Sequence, residues 1–89
     1  MKCVVSVLGN DQSGIVAAVA TVLAECKANI DDISQTLLGD LFSMTMLVTL
    51  SPEDADFNTV QEKLAAVGER MGLQITIQRQ DVFDYMYKV

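Results

Sequence analysis

The residues best suited to bind a small molecule are seven in a row near the N-terminus: Gly9, Asn10, Asp11, Gln12, Ser13, Gly14 and Ile15. They follow an apolar run at residues 4–8 and open a run with helical apolar spacing at residues 15–26. A turn that begins a helix leaves backbone N–H groups without partners, and the helix dipole strengthens their attraction for a carboxylate. The glycines would let the chain bend or let another group approach its backbone. Because Asp11 or Ser13 could cap the helix, an ordinary capped connection fits the same residues.

Other kinds of chemistry have little material in this chain. It contains no histidine, and its two cysteines, Cys3 and Cys26, form no CxxC pair, so we expect no zinc site. Both cysteines are predicted to be small buried apolar residues, with a reactive thiol as the alternative. Asp11 with Asp31 or Asp32 could form a carboxylate pair or a weak Mg²⁺ or Ca²⁺ site, although acidic residues are usually exposed. With no nucleophile and base at a useful spacing, the sequence predicts no catalytic residues, no metal and no cofactor.

The size and charge of the chain narrow the classes of protein further. Its 89 residues fit one domain with a modest core, which dimerisation would supplement. Hydrophobic residues make up 51% and charged residues 20%, which is typical of a globular rather than a disordered chain. A net charge of −6 argues against binding to nucleic acid or to anionic membranes, and no apolar run is long enough to span a bilayer. Because the first residues run into a strand with no cleavage pattern, we expect a cytoplasmic protein.

The apolar spacing predicts six elements that would hold the seven-residue turn in place. Strands are expected at residues 2–8, 30–38, 41–50 and 73–80, and the first helix at residues 13–28, with Asn29 as its left-handed end cap. The second helix is expected to begin after Asp56 and to end at Gly72. The order strand–helix–strand–strand–helix–strand, with right-handed crossovers, predicts an α+β ferredoxin-like βαββαβ sandwich, in which a four-stranded antiparallel sheet carries both helices on one face.

A two-residue hairpin turn at residues 39–40 fixes the register of the strands beside it. Leu38 then pairs with Leu41 and, further along, Ile33 pairs with Met46. In this register one face of the hairpin is almost wholly apolar, so the turn chemistry and the apolar pattern agree. The core residues expected on that face are Ile33, Leu37, Phe42, Met44, Met46, Val48 and Leu50.

One feature breaks the regular alternation of the second strand. Ile30 and Ile33 are three residues apart, so an uninterrupted strand would turn them to opposite faces. A β-bulge at Asp31 and Asp32 would return both to the core. The other face of the sheet carries serine, threonine and glutamine between leucines, a composition that suits contact with a partner protein.

The last nine residues, 81–89, are unusually apolar for a chain end. A frayed end would expose to water the large side chains of Phe83, Tyr85, Met86, Tyr87 and Val89. We therefore divide the chain into a domain at residues 1–80 and an apolar extension at residues 81–89. The extension is predicted to form a short helix that docks on the domain or on a second subunit.

Two stretches make this chain resemble the ACT domain over essentially its whole length. One is the run of residues 9–15 described above, and the second is Asn29, Ile30, Asp31, Asp32, Ile33, Ser34, Gln35 and Thr36. The chain looks like the single-domain bacterial ACT proteins of unassigned function, which themselves resemble the ACT repeats of the glycine cleavage repressor. Two residues depart from the family pattern, in which many members have proline at Ser13 and a helix-ending glycine at Lys27. A left-handed Lys27 would cost about 1 kcal/mol relative to glycine.

The resemblance implies a regulatory function. ACT domains typically bind small amino acids, regulate an enzyme or a transcription factor, and often pair side by side into a sheet of eight strands. The ligand would lie where the first strand–helix turn of one subunit meets the second-strand start of its neighbour. By position, Asp11 and Asn29 match residues that contact the ligand from two sides, and backbone N–H groups at residues 13–15 would meet its carboxylate. The ligand-binding set implied by the resemblance is Asn10, Asp11, Gln12, Ser13, Gly14, Ile15, Asn29, Ile30 and Asp31.

Three functions compete on these grounds. The first is a homodimeric regulatory module that senses an amino acid and acts on an enzyme or a transcription factor. The second is a ligand-free interaction or assembly module, which the partly apolar outer sheet face and the apolar tail support. The third is an enzyme or a metal protein. Only the acidic residues Asp11, Asp31 and Asp32 support it, so we expect no enzyme. The expected partners are a second copy of the chain and a small amino acid, with no nucleic acid and no membrane.

Overall fold

The computed structural model describes residues 1–86 as a four-stranded antiparallel sheet with helices packed against it. Along the chain the elements are β1 Lys2–Asn10, α1 Ile15–Glu25, β2 Asn29–Leu38, β3 Leu41–Thr49, α2 Phe57–Met71, β4 Gln74–Arg79 and α3 Gln80–Met86. The strand order across the sheet is β2-β3-β1-β4, so β2 and β4 form its edges. These elements confirm the predicted ferredoxin-like βαββαβ fold with two main helices and a short C-terminal helix. Tyr87 and Val89, which the tail prediction includes, lie outside the described residues.

One apolar core lies between the sheet and the two main helices. Alternation along β1 turns Cys3, Val5 and Val7 into this core, where each is at most 1% exposed. The helices add stripes at three- and four-residue spacing, which consist of Ile15, Val19, Val22, Leu23, Cys26, Val60, Leu64 and Val67. Both cysteines are buried and free, as predicted. Burial raises the pKa of the Cys3 thiol, which disfavours the reactive thiolate.

Strands β2 and β3 pair in the predicted register, with Ile33 opposite Met46. A shift in register between Ile30 and Asp32 makes Asp31 the extra residue of a β-bulge, which confirms the bulge that the spacing of the isoleucines predicts. On the helix-side face the β3 residues are buried, as is Leu50 just after the strand. The buried β3 residues are Phe42, Met44, Met46 and Val48.

The expected burial of β2 is wrong for the single chain. All ten of its residues are exposed, including Ile30 at 37%, Ile33 at 39% and Leu37 at 57%. Alternation tells on which face of a sheet a side chain lies, but it does not tell whether a second layer covers that side chain. Because β2 is an edge strand, the helices leave its apolar side chains open.

Helix α1 is shorter than the predicted range of 13–28, and other residues form its ends. Lys27, with φ of 55°, takes the left-handed position that was expected of Asn29, and Asn29 begins β2 instead. The N–H group of Ala28 donates to the carbonyl oxygen of Leu23 at 2.9 Å, which closes a Schellman motif around Lys27. The departure from the family glycine therefore does place a lysine in a left-handed conformation.

Helix α2 has both of its predicted caps. Asp56 Oδ1 accepts the N–H group of Thr59 at 2.8 Å, and hydrogen bonds from Thr59 lower the pKa of the Asp56 carboxyl below its ordinary value. Gly72 ends the helix with φ of 69°, and Leu73 N–H donates to the carbonyl oxygen of Gly68 at 2.8 Å. Strand β4 then begins one residue later than predicted and ends one residue earlier.

Helix α3 follows β4 directly and lies against β1 and β4. Gln78 Nε2 lies 3.6 Å from Met86 Sδ, in donor–acceptor geometry. No residue of α3 is buried, and Tyr85 is 83% exposed. The docking of the whole extension at residues 81–89 on the domain or on a partner stays a prediction.

Candidate ligand site

The turn between β1 and α1 leaves the backbone donors at the start of the helix open. Strand β1 runs two residues further than predicted, through Gly9 to Asn10, and Gly14 is the N-cap of α1. Gly14 has φ of 85°, a left-handed conformation that glycine adopts at low cost. No side chain caps α1, so the predicted capping by Asp11 or Ser13 is wrong, because both residues lie before the true N-cap. Within residues 1–86 the first N–H groups of α1 are therefore available to an external acceptor such as a carboxylate.

Two hydrogen bonds fix this turn to the β2–β3 hairpin turn and to the end of α2. The backbone N–H group of Asp11 donates to the carbonyl oxygen of Asp40 at 2.8 Å, which ties the turn to the β2–β3 hairpin. Gln12 Nε2 donates to the carbonyl oxygen of Met71 at 2.9 Å, at the end of α2, and lies 3.4 Å from that of Asn10. The Gln12 amide is thus engaged with the protein itself, so its contribution to a ligand site would be to position the turn.

Asp11 borders a shallow pocket of about 270 Å³ at the hairpin end of the sheet, together with Gln35, Thr36, Leu37 and Phe42. The turn lies at this end because β1 pairs with β3 up to Asn10 opposite Leu41. The Asp11 carboxylate makes no hydrogen bond within residues 1–86, so it is free to accept one from a ligand.

Asn29 and Asp31 form a hydrogen-bonded group at the opposite end of β2. Asn29 Nδ2 donates to Asp31 Oδ1 and Thr49 Oγ1 donates to Asp31 Oδ2, each at 2.6 Å. Both bonds lower the pKa of the Asp31 carboxyl, and the bond from Thr49 has the larger effect. The bond from Thr49 also holds the bulge against β3. Because a carboxylate can only accept, Asn29 donates through its nitrogen and presents its oxygen Oδ1 as a free acceptor within residues 1–86.

A single chain does not bring the two groups together. Strand β2 spans ten residues from Asn29 to Leu38, so its two ends lie about 25–30 Å apart. Asp11 therefore cannot form a carboxylate pair with Asp31 or Asp32 of its own chain. Among residues 1–86 no three or more histidine, cysteine, aspartate or glutamate side chains are placed to hold a metal ion.

Sequence reasoning missed Thr49 and the pocket residues Gln35, Thr36, Leu37 and Phe42. A signal for Thr49 was present, since the predicted register with its bulge places Thr49 opposite Asn29. Asking which side chains face the predicted site residues across the strands would have found it. The pocket residues needed the strand order and the bond from Asp11 to the hairpin turn, which the sequence does not contain.

Comparison with known proteins identifies the family of this chain. Residues 2–78 match the family model of the ACT domain. A UPF0237 protein of Methanocaldococcus jannaschii is 48% identical over 88 residues, which cover 99% of this chain and 98% of that protein. Among solved structures, an ACT domain protein from Streptococcus pneumoniae is 42% identical, with a TM-score of 0.80 and coverage of 98% of both chains. A candidate glycine cleavage system transcriptional repressor is 25% identical, with a TM-score of 0.77 over 86% of this chain and 44% of that one.

The chain therefore belongs to the ACT domain family, and within it to the UPF0237 proteins. ACT domains are small-molecule-sensing regulatory modules that commonly dimerise and bind amino acids. The family match occupies most of the chain, and no catalytic domain is evident beside it. In the described part of the chain, residues 1–86, no helix is long and apolar enough to cross a membrane.

Proposed function

We propose that this chain is a homodimeric regulatory module that binds a small amino acid between two subunits. The observation that carries the proposal is the exposure of all of β2, which leaves Ile30, Ile33 and Leu37 open to water in the single chain. A long apolar edge strand is a template for pairing with another chain, and pairing would cover these side chains. The second edge strand, β4, is shorter and has part of its apolar face buried, so β2 is the better dimer edge.

Antiparallel pairing of two β2 strands about a two-fold axis would supply the missing half of the site. In that arrangement the start of one β2 lies beside the end of the other. The partner's Asn29 would then approach Leu37 and the pocket that Asp11 borders. Each dimer would contain two such sites, each built from both subunits.

The hydrogen-bonding groups at this junction favour one class of ligand. The open N–H groups at the start of α1 suit the α-carboxylate of an amino acid. Asp11 and Asn29 Oδ1 both offer acceptors, so the remainder of the ligand should offer donors, such as an ammonium group or a side-chain hydroxyl or amine. An amino acid with a polar donor side chain meets both requirements.

A thermal-shift panel of the common amino acids tests the proposal. A ligand at a hundred times its Kd should stabilise the folded protein by about 2.7 kcal/mol. Asp11→Asn should abolish or alter the preference among amino acids, because the acceptor nearest the pocket becomes an amide. Asp84→Asn, the same change at an exposed position of α3, should leave the preference intact. No shift with any amino acid, or an unchanged preference in Asp11→Asn, would overturn the proposed ligand site.

From the family we also propose what the module regulates and where in the cell it acts. Its readout would be an enzyme or a transcription factor, the usual partners of ACT domains, and its location would be the cytoplasm. Co-purification of the tagged chain from its own cells, with and without the amino acid found by the panel, would identify such a partner.

A ligand-free assembly module is the second candidate function, and the outer sheet face favours it. Three leucines lie open on that face, with Leu8 at 42%, Leu38 at 75% and Leu41 at 44% exposure, and Leu38 directly faces Leu41 across the hairpin. Contact with a partner would bury them. Removing residues 82–89 and measuring the mass in solution tests the role of the tail. An unchanged oligomeric state and solubility would mean that the tail is not an interface.

A further inference from the structure

A groove of about 650 Å³ runs between α2 and the free edge of β4, which is the edge of the sheet opposite to β2. Its apolar lining comes from both elements and from the start of α3, and consists of Phe57, Leu64, Ala65, Ile75, Ile77 and Val82. Neither the β1–α1 turn nor the pocket beside Asp11 belongs to it. A concave apolar surface of this size is the usual setting for a bound ligand or peptide.

Strand backbone as well as apolar side chains borders this groove. Thr76 and Gln78 pair with Ser6 and Val4, so they belong to the alternate set that faces away from the helices, yet both contribute to the lining. Within residues 1–86 no strand pairs with the outer edge of β4. Every second residue of an edge strand points its N–H and C=O groups outward, so the groove adjoins a row of free donors and acceptors.

The charge of the groove is also distinctive. Its lining contains one charged side chain, Arg79, and no carboxylate, although the whole chain has a net charge of −6. Arg79 Nη2 donates to Asp81 Oδ2 at 2.7 Å, and the other N–H donors of the guanidinium make no bond within residues 1–86. A guanidinium has five N–H donors, so Arg79 can bind a second carboxylate at this end of the groove.

We propose that the groove binds an extended peptide segment of another protein, which adds to β4 as an antiparallel strand. Backbone hydrogen bonds to β4 would hold the segment, and its alternate apolar side chains would enter the groove. Arg79 is the last residue of β4, and the N-terminal end of an antiparallel segment would lie beside it. We therefore expect the acidic residue that binds Arg79 near the N-terminal end of the segment. A second copy of β4 is a poorer occupant, since residues 74–79 include no carboxylate to meet Arg79. This inference does not rest on amino-acid binding at the β1–α1 turn.

Substitutions at two consecutive exposed alanines of α2 distinguish an effect on the groove from a general effect on the helix. Ala65 lines the groove and Ala66 does not. Random peptides of about seven residues, displayed on phage and long enough to span the six residues of β4, would be selected on the wild-type protein. We expect enrichment of alternating apolar residues with aspartate or glutamate near the N-terminal end. Ala65→Trp should weaken binding of a synthetic selected peptide about tenfold or more by filling the groove, and Ala66→Trp should not.

Two further readouts keep the test independent of the folding of one variant. The amides of β4 should gain protection from hydrogen exchange when the peptide binds, while those of β2 should not. Arg79→Gln should weaken an acidic peptide but not its glutamine counterpart. The proposal is overturned by no enrichment over an unrelated protein, by equal binding to Ala65→Trp, or by enrichment of single aromatic residues without alternation, which indicates a small apolar ligand. A change of oligomeric state in Ala65→Trp alone would assign the groove to a second copy instead.

Discussion

Lys27 is the only non-glycine residue among residues 1–86 with a positive φ, 55°. A left-handed residue with a Cβ costs about 1–2 kcal/mol, whereas glycine adds about 0.4–1 kcal/mol of conformational freedom to the unfolded chain. The first effect is the larger, so Lys27→Gly should stabilise the protein by about 0.5–1 kcal/mol. The melting temperature should rise by about 2–8 °C, which differential scanning calorimetry would measure.

The control for this prediction is Lys27→Ala. The Lys27 ammonium lies 3.9 Å from the Asp54 carboxylate with its side chain 73% exposed, a geometry that contributes little to stability. Alanine removes that ion pair but keeps the Cβ and its strain, so its melting temperature should stay close to that of the wild type. If the glycine variant is no more stable than the alanine variant, the left-handed conformation is not the cause.

Asp56 stabilises α2 in a way that depends on pH. Its folded-state pKa is lowered, so its ionised form contributes stability above the unfolded-state pKa of about 3.9, and this is lost as the pH falls through the folded value. Asp56→Ala, which removes the cap, should lower the melting temperature by a few degrees at neutral pH. Asp56→Asn keeps a capping oxygen that does not titrate. Urea unfolding should show the full advantage of Asp56 over asparagine at pH 7, and that advantage should shrink as the pH falls below about 3.9.

At the scale of elements, the end of α2 connects the core to the candidate ligand turn. Gly68 lies inside the helix, and a Cβ built there would come within 2.8 Å of the carbonyl oxygen of Leu73, a backbone atom that cannot move cheaply. Alanine in a helix normally gains about 0.5–1 kcal/mol over glycine, but crowding of a packed site costs about 1–3 kcal/mol. Gly68→Ala should therefore be destabilising. Because Gln12 binds Met71 at the same helix end, the variant should also weaken binding of the amino acid found in the thermal-shift panel.

The neighbouring Ala66 provides the contrast for this prediction. Ala66 is exposed, so Ala66→Gly should cost the ordinary helix propensity, about 1 kcal/mol, and leave amino-acid binding unchanged. Denaturant unfolding should find both variants destabilised, and the thermal shift with the amino acid separates them, because only Gly68→Ala should weaken binding. A stabilised Gly68→Ala would mean that the loop after α2 adjusts to a side chain, and that the glycine is not required there.

Local patterns were sufficient for the elements whose partners are near in sequence. The hairpin turn at residues 39–40 fixed the β2–β3 register, the spacing of two isoleucines located the bulge, and Asp56 and Gly72 marked α2 correctly. The end of α1 was mispredicted because residue preference favours asparagine in the left-handed position. The closing bonds of the Schellman motif instead required that position at Lys27, two residues earlier.

At the scale of the molecule, the candidate site was beyond the reach of local patterns. The sequence identified Asp11 and Asn29, but only the strand order shows that they lie at opposite ends of β2 in one chain. The same order explains why Ile33 and Leu37, assigned to the core by alternation, are exposed. The apolar edge and the divided site would thus have one cause, since the proposed pairing of β2 would complete both.

If the dimer forms through β2, the substitution Ile33→Asp should separate the two subunits. Ile33 lies near the middle of β2, so in a two-fold pairing the two introduced carboxylates would face each other and repel. Sedimentation equilibrium should find a dimeric wild type and a monomeric variant. Amino acids should no longer stabilise the variant, because in the proposed dimer Asp11 and Asn29 would meet only across subunits. Ala66→Asp, the same change of charge on α2, should stay dimeric and keep its ligand. A dimeric Ile33→Asp that still binds would exclude pairing through β2, and a monomeric wild type would remove the two-subunit site altogether.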